Sequence, residues 1–156
     1  MSLTVDDDAF DAASRPTAIA LTLFTMRCME HWKHDVQDYD RAMILVAVVA
    51  IRSERLLRAE IEPQERQLER PIGSERLARC NISCIAAATG INRETTRRKV
   101  GSLIEQGLLH KLEDGSIGLA PGRLQKASTL QLVRKQLDGV VRLANDLVRL
   151  GVVTEN

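Results

Sequence analysis

Aromatic residues are scarce in this chain. They make up 3% of its 156 residues, whereas hydrophobic residues as a whole make up 44%. A core with so few rings must be packed with Leu, Val, Ile and Ala, and this composition is typical of a helical protein. Long apolar runs are also lacking. The longest, residues 42–51, has ten residues, whereas about 20 are needed to span a bilayer. We expect a helical protein without a membrane segment.

Cysteine is rare as well, and its number is odd. Cys28, Cys80 and Cys84 cannot make a complete set of disulfides, and the first residues do not resemble a secretion leader. Both observations favour a reducing cytoplasm as the location. The sequence also contains no recognisable Ser-His-Asp set, phosphate-binding loop or carboxylate pair, so we expect neither an enzyme nor a bound cofactor.

Thiol and imidazole side chains occur together at one place, in Cys28, His31 and His34. These side chains bind zinc and copper. Three residues on one helix cannot close a tetrahedral site, and the same spacing is typical of a half-buried helix face. We predict that these residues hold no metal.

Positive charge is concentrated in one segment. The net charge of the chain is only +1, and its first 40 residues contain eight acidic and three basic side chains. Residues 92–111 contain five basic and two acidic side chains. Because phosphate contacts depend on local positive charge, this segment is the candidate for binding nucleic acid.

The same segment belongs to a pattern of two short helices over residues 82–107. Ser83 is suited to cap the first helix, and Gly90 is suited to end it in the left-handed conformation. Asn92 is suited to cap the second helix, which ends at Gly107. The pattern predicts a helix-turn-helix, whose second helix enters the major groove of DNA.

A β-hairpin is predicted directly downstream. Residues 108–112 form its first strand and residues 116–120 its second. Asp114-Gly115 suits a two-residue loop between them. The predicted fold is therefore mainly α-helical with a small β-hairpin wing, a winged helix-turn-helix.

The residues that carry this pattern resemble bacterial transcription regulators with a winged helix. They are Thr89-Gly90-Ile91-Asn92-Arg93-Glu94-Thr95, Arg98, Leu103 and Gly107-Leu108-Leu109. The second helix is most similar to that of the catabolite-activator type. The likeness does not extend upstream, where the cyclic-nucleotide barrel of that family would need many strands and glycines. The overall layout is similar to that of small dimeric repressors of the multidrug-resistance and arsenic-resistance types.

The resemblance implies roles for individual side chains. It assigns the reading of base edges to Arg93, Glu94 and Arg98, and arginine to guanine is the commonest specific contact. The alternative is a surface ion pair between Glu94 and Arg98, with Arg93 merely solvated. Six further residues are predicted to contact the DNA backbone: Ser83, Asn92, Thr95, Arg97, Lys99 and Lys111.

We predict five segments along the chain. Residues 1–14 form an acidic flexible tail, 15–62 the N-terminal helices, 63–74 a loop or insertion, 75–122 the helix-turn-helix with its wing, and 123–150 a long C-terminal helix. The second N-terminal helix begins near residue 40, continues past residue 58 and is the first core helix of the winged unit.

The C-terminal helix carries a seam of apolar residues at alternating steps of three and four. These residues are Leu130, Val133, Leu137, Val140, Ala144 and Leu147. Such spacing is typical of helices that pack on one another. A small domain could not cover so long a seam, so we interpret it as the interface of a homodimer, completed by the N-terminal helix.

The expected function is sequence-specific binding of double-stranded DNA by a transcriptional regulator, with repression favoured over activation. Two alternatives stay open: a winged helix that docks a protein partner, and a plasmid or phage initiator of replication or partition. No residue pattern identifies a small-molecule effector.

Overall fold

The computed structural model describes residues 2–33 and 36–155. Those residues are mainly helical, as predicted, with five α-helices and two antiparallel two-stranded sheets. The elements are β1 (Leu3–Val5), α1 (Asp7–Lys33), α2 (Tyr39–Ser53), α3 (Ile82–Thr89), α4 (Arg93–Glu105), β2 (Leu109–Lys111), β3 (Ile117–Leu119), α5 (Ala127–Arg149) and β4 (Val153–Glu155). Short 3-10 turns occupy Glu54–Leu57, Pro63–Glu65 and Ser74–Arg76. No described helix is both long and apolar enough to cross a bilayer.

The chain divides into two compact units. Trp32–Leu130 form the central unit, and Met1–His31 with Gln131–Asn156 form the terminal unit. Helices α2, α3 and α4 pack on one another and on the β2–β3 hairpin in the central unit. Their shared core contains the fully or almost fully buried side chains of Ile44, Val48, Cys80, Ile85, Val100, Leu103, Leu109 and Ile117.

Helix α2 is shorter than predicted. Asp38 caps its start by accepting a hydrogen bond from the backbone N–H of Arg41 at 2.8 Å. The α-helix ends at Ser53 instead of continuing past residue 58. The reason is visible at Arg52, whose carbonyl accepts from the backbone N–H of Ala78 at 2.9 Å. The chain then continues as a single 3-10 turn over Glu54–Leu57, so the apolar residues beyond Ser53 lie outside the α-helix.

The β2–β3 hairpin has a different loop from the one expected. Leu112 donates its backbone N–H to the carbonyl of Ser116 at 2.8 Å, so three residues lie between the paired positions. Gly115 adopts φ +81°. A three-residue loop with glycine in the left-handed region is a common hairpin connection. Asp114 fixes it by accepting from the backbone N–H and the hydroxyl of Ser116, at 2.9 and 2.6 Å.

Strand β1 and the start of α1 occupy most of residues 3–14, which were predicted to belong to a flexible tail over residues 1–14. Strand β1 pairs antiparallel with β4, with Val5 opposite Val153. Asp6 then caps α1 through a hydrogen bond from the backbone N–H of Ala9 to its carboxylate at 2.9 Å. The missed signal is the pairing of two segments at opposite ends of the chain, which no local pattern reveals.

Helix α1 is interrupted near its start. Ala13 has φ −117° and ψ 21°, outside the helical region. Pro16 follows three residues later, in the first turn of the helical segment beyond the kink, where its lack of an N–H costs nothing. The hydroxyl of Thr17 donates to the carbonyl of Ala13 at 2.8 Å, in the part-buried interior. The carbonyl of Ala13 therefore has a hydrogen-bond partner at the kink.

The terminal unit buries little. Among its described residues only Thr17 and Val152 are buried. Phe24 of α1 lies against Gly139 of α5. Much of the remaining apolar surface of the two helices is about half exposed, notably Ile19, Leu23, Met26, Leu130, Val133, Leu137, Val140, Val141 and Val148.

Candidate nucleic-acid interface

The turn between α3 and α4 follows the predicted pattern with one change. Gly90 ends α3 in the left-handed conformation at φ +71°, and its N–H donates to the carbonyl of Ala86 at 2.9 Å. The cap of α3 is Asn81 and not Ser83: the Asn81 side chain accepts from the backbone N–H of Cys84 at 3.0 Å. Ser83 lies exposed in the first turn of α3.

Helix α4 has a sharply defined inner side. Thr96, Val100 and Leu103 are all 2% exposed or less. The buried hydroxyl of Thr96 donates to the carbonyl of Asn92 at 3.0 Å, so it is satisfied within the helix. The Asn92 side chain accepts from the backbone N–H of Glu94 at 2.9 Å and caps the start. These contacts fix which side of α4 faces solvent.

The outer side of α4 carries the three predicted base-reading residues, all exposed. Glu94 forms a two-fold contact with Arg97, at 3.1 Å to Nε and 2.7 Å to Nη2. This pair lowers the pKa of Glu94 and raises that of Arg97. The expected alternative pair, Glu94 with Arg98, does not form. Arg93 and Arg98 have no ion-pair or side-chain hydrogen-bond partner among the described residues.

Lys99, which was predicted to contact the DNA backbone, is mostly buried. Its side chain is 17% exposed, and its ammonium lies 3.0 Å from Asp38 and 3.2 Å from Asp40, both at the start of α2. Partial burial opposes ionisation of Asp38, but hydrogen bonds from Arg41 and Lys99 outweigh it and lower the pKa of that carboxyl. Lys99 thus joins α4 to α2, and its predicted contact with a DNA phosphate competes with these two carboxylates.

Arg41 was not identified from the sequence, although it supports α4 from the same side. Its Nη2 donates to the hydroxyl of Ser102 in α4 at 3.1 Å, and its Nη1 lies 3.6 Å from Asp38. An arginine early in a helix carries no signal of such a long-range contact.

Three predicted backbone-contacting residues differ in availability. Lys111 is exposed on β2, and Thr95 is half-buried on α4. Arg97 is exposed but paired with Glu94.

The hairpin tip next to Lys111 is acidic. Asp114 lies 3.2 Å from Arg79, and its pKa is lowered first by its hydrogen bonds to Ser116.

The described cysteine and histidine side chains form no metal site. Cys28 and His31 are half-buried in the terminal unit, and His34 lies outside the described residues. No group of three or more His, Cys, Asp or Glu side chains is placed to hold a metal within residues 2–33 and 36–155. Cys80 is fully buried, and burial raises the pKa of its thiol to about 11.

Comparison with known proteins finds no relative of this chain. No family model matches the chain, and neither the curated proteins nor the solved structures contain a significant match.

Proposed function

We propose that this chain is a sequence-specific double-stranded DNA-binding protein and acts as a transcriptional repressor by occupying its operator. In this proposal the α3–α4 pair and the β2–β3 hairpin are a winged helix-turn-helix, and α4 enters the major groove. The observation that carries it is the pair of exposed, unpaired arginines Arg93 and Arg98 on a helix whose opposite side is fixed in the core.

The geometry of α4 supports direct base reading. An arginine offers two N–H donors that match O6 and N7 of guanine, and such a contact needs a side chain free of other partners. Arg93 and Arg98 meet that condition among the described residues. Glu94 and Arg97 are paired, but both are more than two-thirds exposed. Solvent weakens such a pair, so it opens at little cost on approach to DNA.

The hairpin has a smaller part in the proposal. Glu113 and Asp114 at its tip repel phosphate, so the tip itself stays away from the DNA backbone. Lys111, on the strand, is the hairpin residue that reaches a phosphate. In this proposal the hairpin contacts phosphate and not bases, so α4 supplies the specificity.

The proposed assembly is a homodimer formed by the terminal unit. Half-exposed apolar side chains on α1 and α5 support it, since clustered exposed apolar side chains are typical of interaction sites. A two-fold dimer carries two copies of α4 and therefore reads an inverted repeat.

Selection of duplex fragments by the purified protein, followed by binding to single-base variants of the selected site, tests the function. Arg98→Ala should cost about 1–3 kcal/mol and relax discrimination at one G·C position. Arg58→Ala, which removes an exposed arginine outside α4, is the matched control and should leave every affinity unchanged. Equal loss on all variants would make Arg98 a phosphate contact and remove the proposed base readout.

Salt dependence separates DNA binding from protein docking, because each phosphate contact contributes to the slope of log K against log salt. Lys111→Ala should lower that slope by about one. Lys99→Ala should leave the slope unchanged because its ammonium is held by Asp38 and Asp40. If no duplex is enriched and binding to DNA is independent of salt, the winged helix does not bind DNA. An array of footprints on repeated sites would instead favour the initiator function.

A further inference from the structure

A cavity of about 470 Å³ lies within the central unit. Its walls are the C-terminal end of α2, the segment of residues 65–74, and the strand β3 with the residues that follow it. Leu56, Ile72, Leu119 and Leu124 make much of the wall apolar. Volumes of 300–1,000 Å³ with apolar walls and a few polar groups are typical of small-molecule sites.

One of those polar groups is an unusual arginine. Arg52 lines the cavity and is 8% exposed, so most of its side chain is withdrawn from bulk water. Its one side-chain hydrogen bond to a described residue runs from Nη1 to the carbonyl of Ala78 at 3.2 Å. No described carboxylate lies within ion-pair distance of it. A guanidinium has five N–H donors, and a buried charge is costly without an anionic partner.

None of the described carboxylates near Arg52 serves as its anionic partner. Asp114 is near enough for Arg52 to contribute to its lowered pKa, but the Asp114 carboxylate already binds Arg79 and Ser116. Glu65 also lines the cavity, and it is paired with Arg76. Arg66 and Arg70 are further cations in the wall. The cavity therefore has an excess of positive charge on its own lining.

A second polar group on the lining also lacks a partner. His110, on β2, has a buried Nδ1 without a hydrogen bond. The Cε1 atom of His110 and the Nε atom of Arg52 both lie close to Gly118, at 3.3 and 3.5 Å from where a β-carbon would stand. Both side chains thus lie beside Gly118 at one end of the cavity, but the buried Nδ1 of His110 is closed to a ligand and the guanidinium of Arg52 supplies the donors there.

We propose that this cavity binds a small organic carboxylate with an apolar body. The carboxylate accepts hydrogen bonds from the guanidinium of Arg52, and the apolar body contacts the leucine and isoleucine side chains of the walls. The proposal is independent of DNA binding, because every residue it uses lies outside the outer side of α4.

Calorimetric titration of the full chain tests it without DNA. Naphthalene-2-carboxylate and decanoate are the probes, and their primary amides are the neutral controls of similar shape. The carboxylates should bind at least about tenfold more tightly than the amides, since a charge-assisted contact in a desolvated site is lost in the amide. The ¹⁵N NMR shifts should move at Gly118 and at the Nε–H of Arg52. Equal affinity for acid and amide, or absence of binding by all four probes, would overturn the proposal.

Two variants locate the contact. Arg52→Gln should reduce the preference for the carboxylate to below about threefold, while Arg55→Gln, which changes an exposed arginine three residues along the chain, should keep it. Ala120→Phe fills the cavity and should weaken binding of acid and amide alike, so the proposal stays testable if Arg52→Gln does not fold. Shifts confined to the exposed face of α5, with Gly118 unmoved, would place the probes elsewhere and refute the assignment.

Discussion

The central and terminal units treat their apolar residues in opposite ways. In the central unit α2, α3 and α4 enclose side chains such as Ile44, Ile85 and Leu103, which are fully buried. In the terminal unit Ile19 of α1 and Leu137 of α5 are 55% and 52% exposed. The helices of both units have apolar residues at helical spacing. Burial therefore depends on whether neighbouring elements cover an apolar face, and the periodicity alone does not decide it.

The difference between the units is informative about assembly. Two helices and a two-stranded ribbon with only Thr17 and Val152 buried among the described residues are a small basis for a stable unit. The central unit has a core of its own and needs no second chain to cover it. In the proposed homodimer the terminal unit is half of the interface, whereas the central unit has its own buried core.

The largest expected effect lies in the central core. Leu103→Ala removes a fully buried side chain shared by α4 and its neighbours, and it should lower the free energy of unfolding by about 2–5 kcal/mol. Leu137→Ala, the same change at a half-exposed site, should cost much less in the monomer. Urea denaturation of both variants, at a protein concentration where the chain is monomeric, makes the comparison. Equal losses would mean that α5 is packed as tightly as α4.

The terminal unit is tested next by Leu137→Glu. A carboxylate on the apolar face of α5 would be buried without a partner in the proposed dimer, so sedimentation should show a monomer. Gln131→Glu adds the same charge at an exposed position of α5 outside that face, and it should remain dimeric. The circular dichroism of both variants should stay helical, because the central core is untouched. A Leu137→Glu protein that sediments as a dimer would contradict the assignment of this face.

Local signals predicted much of the central unit. Asn92 acts through a side-chain cap two residues away, and Gly90 and Gly107 act through their own backbone, so the bounds of α4 could be predicted from the sequence. Gly107 has φ +69°, as a residue that ends a helix in the left-handed conformation should. The cap of α3 was placed two residues late, because Asn81 and Ser83 are both good capping residues and sequence alone does not rank them.

The features that sequence reasoning missed depend on residues far apart in the chain. Lys99 contacts Asp38 and Asp40 across about sixty residues of chain, Arg41 reaches Ser102, and β1 pairs with β4. None of these contacts leaves a periodic or local pattern. The cavity could not be predicted for the same reason, since Arg52 and His110 come together only when α2 and the hairpin pack.

Gly139→Ala should stabilise the terminal unit, which buries fewer side chains than the central unit. A β-carbon at this position would lie 3.5 Å from the ring of Phe24, an ordinary contact distance. Alanine should therefore stabilise α5 by up to about 1 kcal/mol through its higher helix propensity. Hydrogen exchange of the α5 amides should slow accordingly. Gly115→Ala is the control, because a residue with φ +81° cannot take a β-carbon without strain, and it should destabilise the hairpin.

The smallest expected effect concerns the ion pairs that join α4 to α2 in the central unit. Lys99→Met keeps the length of the side chain and removes the charge opposite Asp38 and Asp40, whose side chains are 39% and 51% exposed. Since solvent screens pairs this open, the loss near neutral pH should be about 0.5–1 kcal/mol. Lys135→Met removes an exposed lysine of α5 that has no ion pair within residues 2–33 and 36–155, and it should change the free energy of unfolding by less.

The pH dependence of this loss identifies its cause. The pKa of Asp38 is lowered in the folded chain from an ordinary value of 3.8, so ionised Asp38 stabilises the fold at every pH above that value. The contribution disappears as the pH falls through the lower, folded pKa. Wild type and Lys99→Met should therefore differ in urea denaturation near pH 7 and converge in strong acid. If their difference is the same at both ends of that range, Lys99 acts through the packing of its methylene chain and not through its charge, and the attachment of α4 to α2 is apolar.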